Sequence, residues 1–349
     1  MKIWIDLINP SDTFFFGALM RDFYPEHQVL FTARARAETV ALANDLGIAP
    51  KVIGRDFSNR TVKTLNHAFR TIELFARVPK FDVALAFGGS MSVAVAKARI
   101  KPAVVFNDND LIFVHRTFAG SMETRVMARA DHIIIPSAFP TQVLTKGGAK
   151  EGSIHQCDGY KEDVYIADFK PAPDFLVSLP FKSFVVVRPE ALFAAYVRET
   201  RSIVPELVKA LVDNGLDIVY LPRIKEDMQY IEEMKNSSHV FVPLKALNGL
   251  DLCWYADAVL TGSGTFAREA ACLGTPAVSF FPERLLAVDR QLVNEGKMLH
   301  SRNVDEIIKY VVSQPEKSRK LDLERSKKVK QQVSELLKGI LERLGSKEG

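Results

Sequence analysis

The stretch LTGSGTFAREAACLGTPAVSF, residues 260–280, decides how the chain is read. An apolar run ends at Gly262-Ser263-Gly264-Thr265, a helix-like segment follows at once, and Leu273-Gly274-Thr275-Pro276 leads into a second apolar run. Strand, glycine turn, helix and strand in that order form a βαβ unit with parallel strands. Glycines let backbone approach a ligand closely, and the amides that open a helix carry partial positive charge, so the turn suits an anion such as phosphate. The spacing also reads as GxGxxA, a degenerate dinucleotide fingerprint. That motif belongs on the first strand of a domain with an acidic residue further on, whereas this turn comes late.

The same alternation extends in both directions. Upstream strand candidates are 2–8, 28–33, 81–87, 102–108 and 131–137, then 183–189, 216–222, 239–243 and 257–263, with 276–282 following the loop. Most are continuous apolar runs, as expected for strands covered by helices on both faces. Residues 35–48 and 200–213 carry apolar side chains at helical spacing and stop at Gly47 and Asn214-Gly215. Repeated strand–helix–strand units imply right-handed crossovers and doubly wound α/β architecture.

At 349 residues the chain is long for one core, and two domains are expected. The alternation pauses near 160–182, where Pro171, Pro173 and Pro180 fall without a clean period. The expected organisation is a first Rossmann-like domain over 1–165, a linker over 166–182, a second Rossmann-like domain over 183–315, and a long charged C-terminal helix over 316–349 packing back toward the first domain. Two doubly wound domains face a cleft at the carboxyl ends of their strands, where ligands bind in such folds.

Composition limits the function. Hydrophobic residues make up 47% and charged residues 25%, values for a globular protein. A net charge of +4 does not supply the concentrated basic face that nucleic acid requires, though mild attraction to anionic ligands or lipid stays open. Cys157, Cys253 and Cys272 are widely spaced and show no metal or disulfide pattern, which fits reduced thiols and a cytoplasmic location. The seven histidines show no ligand spacing. The start MKIWIDLINPSD does not read as a signal peptide, and no run approaches the roughly 20 apolar residues that span a bilayer.

VPLKALNGLDLCWYADAVLTGSGTFAREAACLGTPAVSFFP, 242–282, resembles the nucleotide-sugar half of GT-B-fold proteins. The chain looks most like the DUF354 family, which is similar to non-hydrolysing UDP-N-acetylglucosamine 2-epimerases and MurG-like glycosyltransferases. Further family-like stretches are MKIWIDLINPS, GYKEDVYIADFKP, FVVVRPE and AVDRQLVNEGKMLH. The resemblance implies that Ser263, Gly264 and Thr265, beside Gly262, hold a diphosphate and that Glu269 holds a uridine ribose. Arg188 and Arg223, each after a strand, are candidate phosphate donors, and a surface pair between Arg188 and Glu190 is the alternative. Asp289 and Arg290 are candidates for donor-sugar hydroxyls, with a local ion pair equally open.

In the first half, Asp12 stands in the loop after the first strand, where DUF354 proteins usually carry a His. It is a candidate general base, or else the N-cap of a helix starting near Thr13. Phe14, Phe15 and Phe16 read as core. Phe87-Gly88-Gly89-Ser90 replaces the His-Gly-Asp-Thr motif of the epimerases, with Gly88, Gly89 and Ser90 as candidates to touch the acceptor or donor sugar. FNDNDLI replaces their His-Val-Glu-Ala-Gly, leaving Asp108 or Asp110 as the nearest carboxylate for sugar hydroxyls or a cation, with a loose acidic loop as the alternative. These losses favour a metal-independent glycosyltransferase without a bound cofactor, using a nucleotide-diphosphate sugar, which the resemblance implies is UDP-linked, and an unknown acceptor that is a glycan or lipid-linked. An epimerase or hydrolase, and a non-catalytic sugar-nucleotide-binding protein, are the alternatives. Monomer and homodimer are both compatible with the sequence, as is a peripheral place at the inner membrane face.

Overall fold

The computed structural model describes residues 1–55, 60–113, 118–192, 197–315 and 321–346. Two compact units emerge: Met1–Tyr165 with Ser326–Gly349, and Ile166–Arg325. Each holds its own parallel sheet flanked by helices, which makes the chain a two-domain α/β protein.

In the first unit the strands are β1 (Lys2–Leu7), β2 (Gln28–Ala35), β3 (Lys51–Arg55), β4 (Val83–Phe87), β5 (Ala103–Phe106), β6 (His132–Pro136) and β7 (Ile154–Cys157), in the order β3-β2-β1-β4-β5-β6-β7. Every described pairing is parallel. The chain order reverses between β1 and β4, so the loops that follow these two strands flank the crevice where open α/β sheets bind ligands.

The second unit repeats the plan with β8 (Val185–Arg188), β9 (Ile218–Tyr220), β10 (Val240–Phe241), β11 (Ala258–Thr261), β12 (Ala277–Ser279) and β13 (Met298–His300), in the order β10-β9-β8-β11-β12-β13. Its reversal falls between β8 and β11, which places Arg188 beside Thr261 in register.

The central strands are apolar along their whole length because both faces are covered. Val185, Val186, Val187, Val259 and Leu260 are buried, as are Ile3, Trp4 and Ile5 of β1. Asp6 breaks the run in β1, and its burial is matched by a full set of partners. Arg70 donates to both of its carboxylate oxygens at 2.7 Å, and the Thr32 hydroxyl donates at 2.6 Å while accepting from the Trp4 indole at 3.0 Å. A buried pair holds together only when its remaining hydrogen-bonding positions are satisfied in this way.

Residues 166–182, expected as a linker, belong to the second unit. Asp251 accepts from the Ala172 amide at 2.8 Å, the Tyr255 hydroxyl donates to the Ala172 carbonyl at 2.8 Å, and Phe175 stacks on Tyr255 with ring centroids 5.5 Å apart. The prolines give an irregular path that is nonetheless packed. The C-terminal helix runs over Glu324–Gly345; residues 316–320 and 347–349 of the expected segment lie outside the described residues. It joins the first unit by burying Val329, Val333, Leu337, Ile340 and Leu341. Ser326 donates to Asp163 at 2.8 Å, and the Gln332 side chain accepts from the Asp158 amide at 3.0 Å.

Candidate functional site

Each unit carries its own candidate site at the carboxyl ends of its central strands. In the second unit the site is built on the turn after β11. The helix Gly264–Cys272 follows with Ser263 as N-cap, and the Ser263 side chain makes no capping bond. Its amide instead donates to the Thr261 hydroxyl at 2.9 Å. A helix start leaves its first amides without intrahelical partners, so those of Gly264, Thr265 and Phe266 present an anion-binding end.

Gly262 has a packing role that the ligand reading overlooks. A Cβ there would lie 2.5 Å from the Glu190 Cα, so the segment after β8 presses directly on this turn. Arg188 closes the other side, with its guanidinium carbon 5.7 Å from the centre of the Phe266 ring. Glu269 lies one turn into the helix and is buried rather than solvated.

Other second-unit candidates have structural engagements. Asp289 is buried and accepts from Arg268 at 2.8 Å, and Arg268 also donates to the Thr265 hydroxyl at 3.4 Å. This pair ties the helix Ala287–Asn294 to the phosphate-type turn and fixes the Thr265 hydroxyl. Arg290 donates to the Leu285 carbonyl within its own turn. Arg223 donates to the Pro189 carbonyl at 2.7 Å, and Asp227 accepts from the Arg223 amide at 2.7 Å.

Glu190 is an interaction centre that sequence reasoning assigned only as a possible partner of Arg188. It accepts from the Ser202 hydroxyl at 2.6 Å and from Arg302 at 2.8 Å. Arg302 has no motif around it in sequence; it is found only because β13 brings the chain back beside β12.

In the first unit Asp12 is the central residue. The helix over Pro10–Leu19 has Asn9 as its N-cap, so Asp12 sits in the first turn and is not the cap itself. Its Oδ2 reaches back to accept from the Asn9 amide at 2.8 Å and the Ile8 amide at 3.2 Å. Burial pushes its carboxyl up to about 6, against the pull of the Lys161 ammonium and of the Asn9 and Ile8 amides, with the Asp108 charge adding to the rise.

Lys161 organises the rest, and sequence reasoning gave it no role although it lies in the family-like stretch GYKEDVYIADFKP. Its ammonium lies 3.6 Å from Asp108, 3.3 Å from the Ser11 hydroxyl and 4.6 Å from the centre of the Phe87 ring. Asp108 and Lys161 are both buried, and Asn107 beside them is buried with no hydrogen-bond partner for its Nδ2 among the described residues. These groups edge a small apolar pocket lined by Phe15, Phe87, Phe106 and, from the C-terminal helix, Val333. Phe15 meets Phe87 and Phe106 edge-on with centroids 5.1 and 4.9 Å apart, and Phe16 is also buried. Phe14 stacks on Tyr165 at 5.5 Å.

The turn after β4 has Gly88 at φ +63°, where a Cβ would meet no atom within 4 Å, and Gly89 as N-cap of the helix Ser90–Ala98. Ser90 therefore opens that helix, half-buried. Asp110 is buried at the start of a short 3-10 turn. Among the described residues no three His, Cys, Asp or Glu side chains are grouped as metal ligands. None of the three cysteines forms a disulfide, and burial pushes the Cys157 thiol up to about 12.

A pair of doubly wound parallel sheets, each with its ligand-type turn at the point of reversal, defines an α/β protein of the GT-B class. Within that class the chain belongs to the family described as "Protein of unknown function (DUF354)", whose model matches residues 1–338. An uncharacterized protein of Methanocaldococcus jannaschii is 27% identical over 329 residues, covering 89% of this chain and 91% of its own length. The fold is similar to the UDP-GlcNAc 2-epimerase of the same organism, solved in complex with UDP-GlcNAc and UDP. That similarity has a TM-score of 0.72 at 15% identity and covers 97% of this chain and 99% of that one. It is also similar to the glycotransferase of kitacinnamycin, with a TM-score of 0.59 at 12% identity over 98% of each chain.

Proposed function

We propose that the chain is a GT-B-type glycosyltransferase that uses a nucleotide-diphosphate sugar and needs no bound metal. The observation that carries this reading is the buried Asp12, whose carboxyl titrates near 6 at the carboxyl end of the first unit's central strands. A base with a pKa near the working pH combines a large deprotonated fraction with useful basicity.

The chemistry then runs as follows. The second unit holds the donor. The amides of Gly264 to Phe266 and the Arg188 guanidinium offset the diphosphate charge, Ser263 and Thr265 add hydroxyl contacts, and Glu269 accepts from a ribose hydroxyl. The first unit presents the acceptor. Asp12 takes the proton from an acceptor hydroxyl as its oxygen bonds to the anomeric carbon, and the bond from that carbon to the diphosphate oxygen breaks. Donors held in place around the leaving diphosphate stabilise the charge that develops there. The similarity to proteins solved with UDP-GlcNAc and UDP supports a uridine nucleotide as the donor's leaving group.

A second reading is favoured by one specific observation. Asp12, Lys161 and Asp108 place two carboxylates and an ammonium in one buried group, and such a set can remove and return a proton at a sugar carbon. Epimerisation of a nucleotide sugar is therefore the alternative. Incubation with UDP-GlcNAc alone separates the two. An epimerase forms the 2-epimer with no acceptor present, whereas a transferase binds the donor and leaves it intact. A thermal-shift screen across nucleotide sugars tests binding directly, because a ligand of the native state raises its melting point. No shift with any nucleotide sugar would remove both readings.

A further inference from the structure

The second half of the helix over Arg60–Arg77 exposes an apolar stripe to solvent. Its buried side carries Arg70 and Leu74. Its exposed side carries Phe69 and Ile72, each 65% exposed, and Phe75, flanked by exposed Ala68 and Ala76. At 3.6 residues per turn these five positions fall within a sector of about 120°, the width of an apolar face that normally seeks a partner. A run of large exposed apolar side chains on one helix face marks an interaction surface rather than scattered surface residues.

Its rim is basic. The Lys51 ammonium donates to the Arg77 carbonyl at 2.8 Å, so it lies at the helix's last turn. Arg99 places its guanidinium carbon 5.4 Å from the centre of the Phe75 ring and donates to the Pro79 carbonyl at 3.0 Å. Arg77 is half-exposed, and the one acid on this stretch, Glu73, pairs with it at 3.7 Å. The turn that carries Arg99 also carries Ile100, 93% exposed and at φ +55°, the one described non-glycine residue with positive φ. A β-branched residue avoids that conformation, and here it holds a large apolar side chain fully in solvent.

We infer that the outer face of this helix, with Arg99 and Ile100, docks onto an anionic lipid surface. Apolar side chains on one face with arginine and lysine at the margin are the pattern of a helix lying in a membrane interface, where acidic headgroups complement the basic rim. The charge pattern decides against a second copy of the chain. A two-fold contact would place this patch on itself and bring basic rim against basic rim. No helix among the described residues is long and apolar enough to cross a membrane, so the association is peripheral. The inference stands independently of the reaction proposed above.

The test is co-sedimentation of the full chain with vesicles of phosphatidylcholine containing phosphatidylglycerol, and with vesicles of phosphatidylcholine alone. Binding to the first that weakens as salt is added is expected, with little binding to the second. Phe69→Ser combined with Ile72→Ser should abolish sedimentation. Arg77→Glu should lower partitioning about fivefold or more. Ile100→Gly removes the apolar side chain while relieving the positive φ, so it should reduce partitioning without lowering the melting temperature, and that combination separates a docking role from a structural one. Equal binding to both vesicle types, or none, overturns the proposal. So does a concentration-dependent dimer in sedimentation velocity that Phe69→Ser dissolves, because the face would then belong to a second copy.

Discussion

The ammonium of Lys161 lies 3.6 Å from a carboxylate oxygen of Asp108, with 7% and 10% of the two side chains exposed. Opposite charges at that distance attract more strongly in a buried setting than in water. The pair sits beside Asp12, whose carboxyl the Lys161 charge pulls down and the Asp108 charge pushes up. The role proposed for Asp12 as a base depends on this balance.

Asp12 should make stability depend on pH in a defined direction. Its carboxyl is raised from the ordinary 3.8 to about 6, so the native state holds the proton more tightly than the unfolded chain does. Between those values the unfolded state binds fewer protons, so stability falls as pH rises from about 4 to about 6 and then levels, at a total cost of about 3 kcal/mol. Asp12→Asn keeps an oxygen for the Asn9 and Ile8 amides and removes the charge. Urea denaturation should show it more stable than the parent at pH 8 and no more stable at pH 4. An equal difference at both values refutes the account.

The same substitution should lower sugar transfer by about 10²- to 10⁴-fold, the usual worth of a positioned base, while leaving donor affinity unchanged. The parent's rate should rise with pH through about 6 as Asp12 ionises. A profile flat across that range would take Asp12 out of the reaction.

Glu269→Ala and Arg188→Gln should each weaken binding of a UDP-sugar about tenfold to a hundredfold, as expected for loss of a charge-assisted hydrogen bond. Calorimetry on folded variants reads this directly. Unchanged affinity in both would mean that the turn after β11 serves packing alone.

Two glycine substitutions should separate close packing from backbone conformation. Gly262→Ala drives a Cβ to 2.5 Å from the Glu190 Cα and must shift backbone, so a loss of about 2 kcal/mol or more is expected. Gly88→Ala meets no atom within 4 Å and costs only the positive-φ conformation, about 1 kcal/mol. Thermal or urea unfolding of the two variants should rank them in that order.

Arg70→Leu should cost about 3–5 kcal/mol, because it leaves Asp6 charged and buried beside Thr32 alone. Combining it with Asp6→Leu should recover part of the loss, since no uncompensated ion remains. A double variant as unstable as the sum of the two singles would show that the pair's geometry is not what stabilises β1.

Much of the architecture was legible in the residues. The ten strands anticipated from apolar runs all appear in the predicted places, nine of them trimmed at their ends and β2 extended to Ala35, because strands buried on both faces must be apolar throughout. The three that were missed, β3, β7 and β13, are all sheet edges. Edge strands are short and half-solvated, and KVIGR, IHQC and MLH carry polar or glycine residues that dilute any apolar signal. The fourth edge, β10, was legible because HVFVP keeps a β-branched, apolar sequence.

The sites divide in the same way. Local sequence determined the turn at 262–265, since a strand followed at once by a helix leaves that helix's first amides without intrahelical partners. It also determined that Asp12 follows the first strand of an α/β domain. Only the tertiary structure decided that Asp12 is buried, because burial depends on what distant segments place over it. Asp289 lies against Arg268, Glu190 against Arg302, and Lys161 between Asp108 and Ser11 for the same reason. These partners are far apart in the chain, and periodicity along a sequence carries information about its neighbours within an element, not about which side chain a later strand will return to.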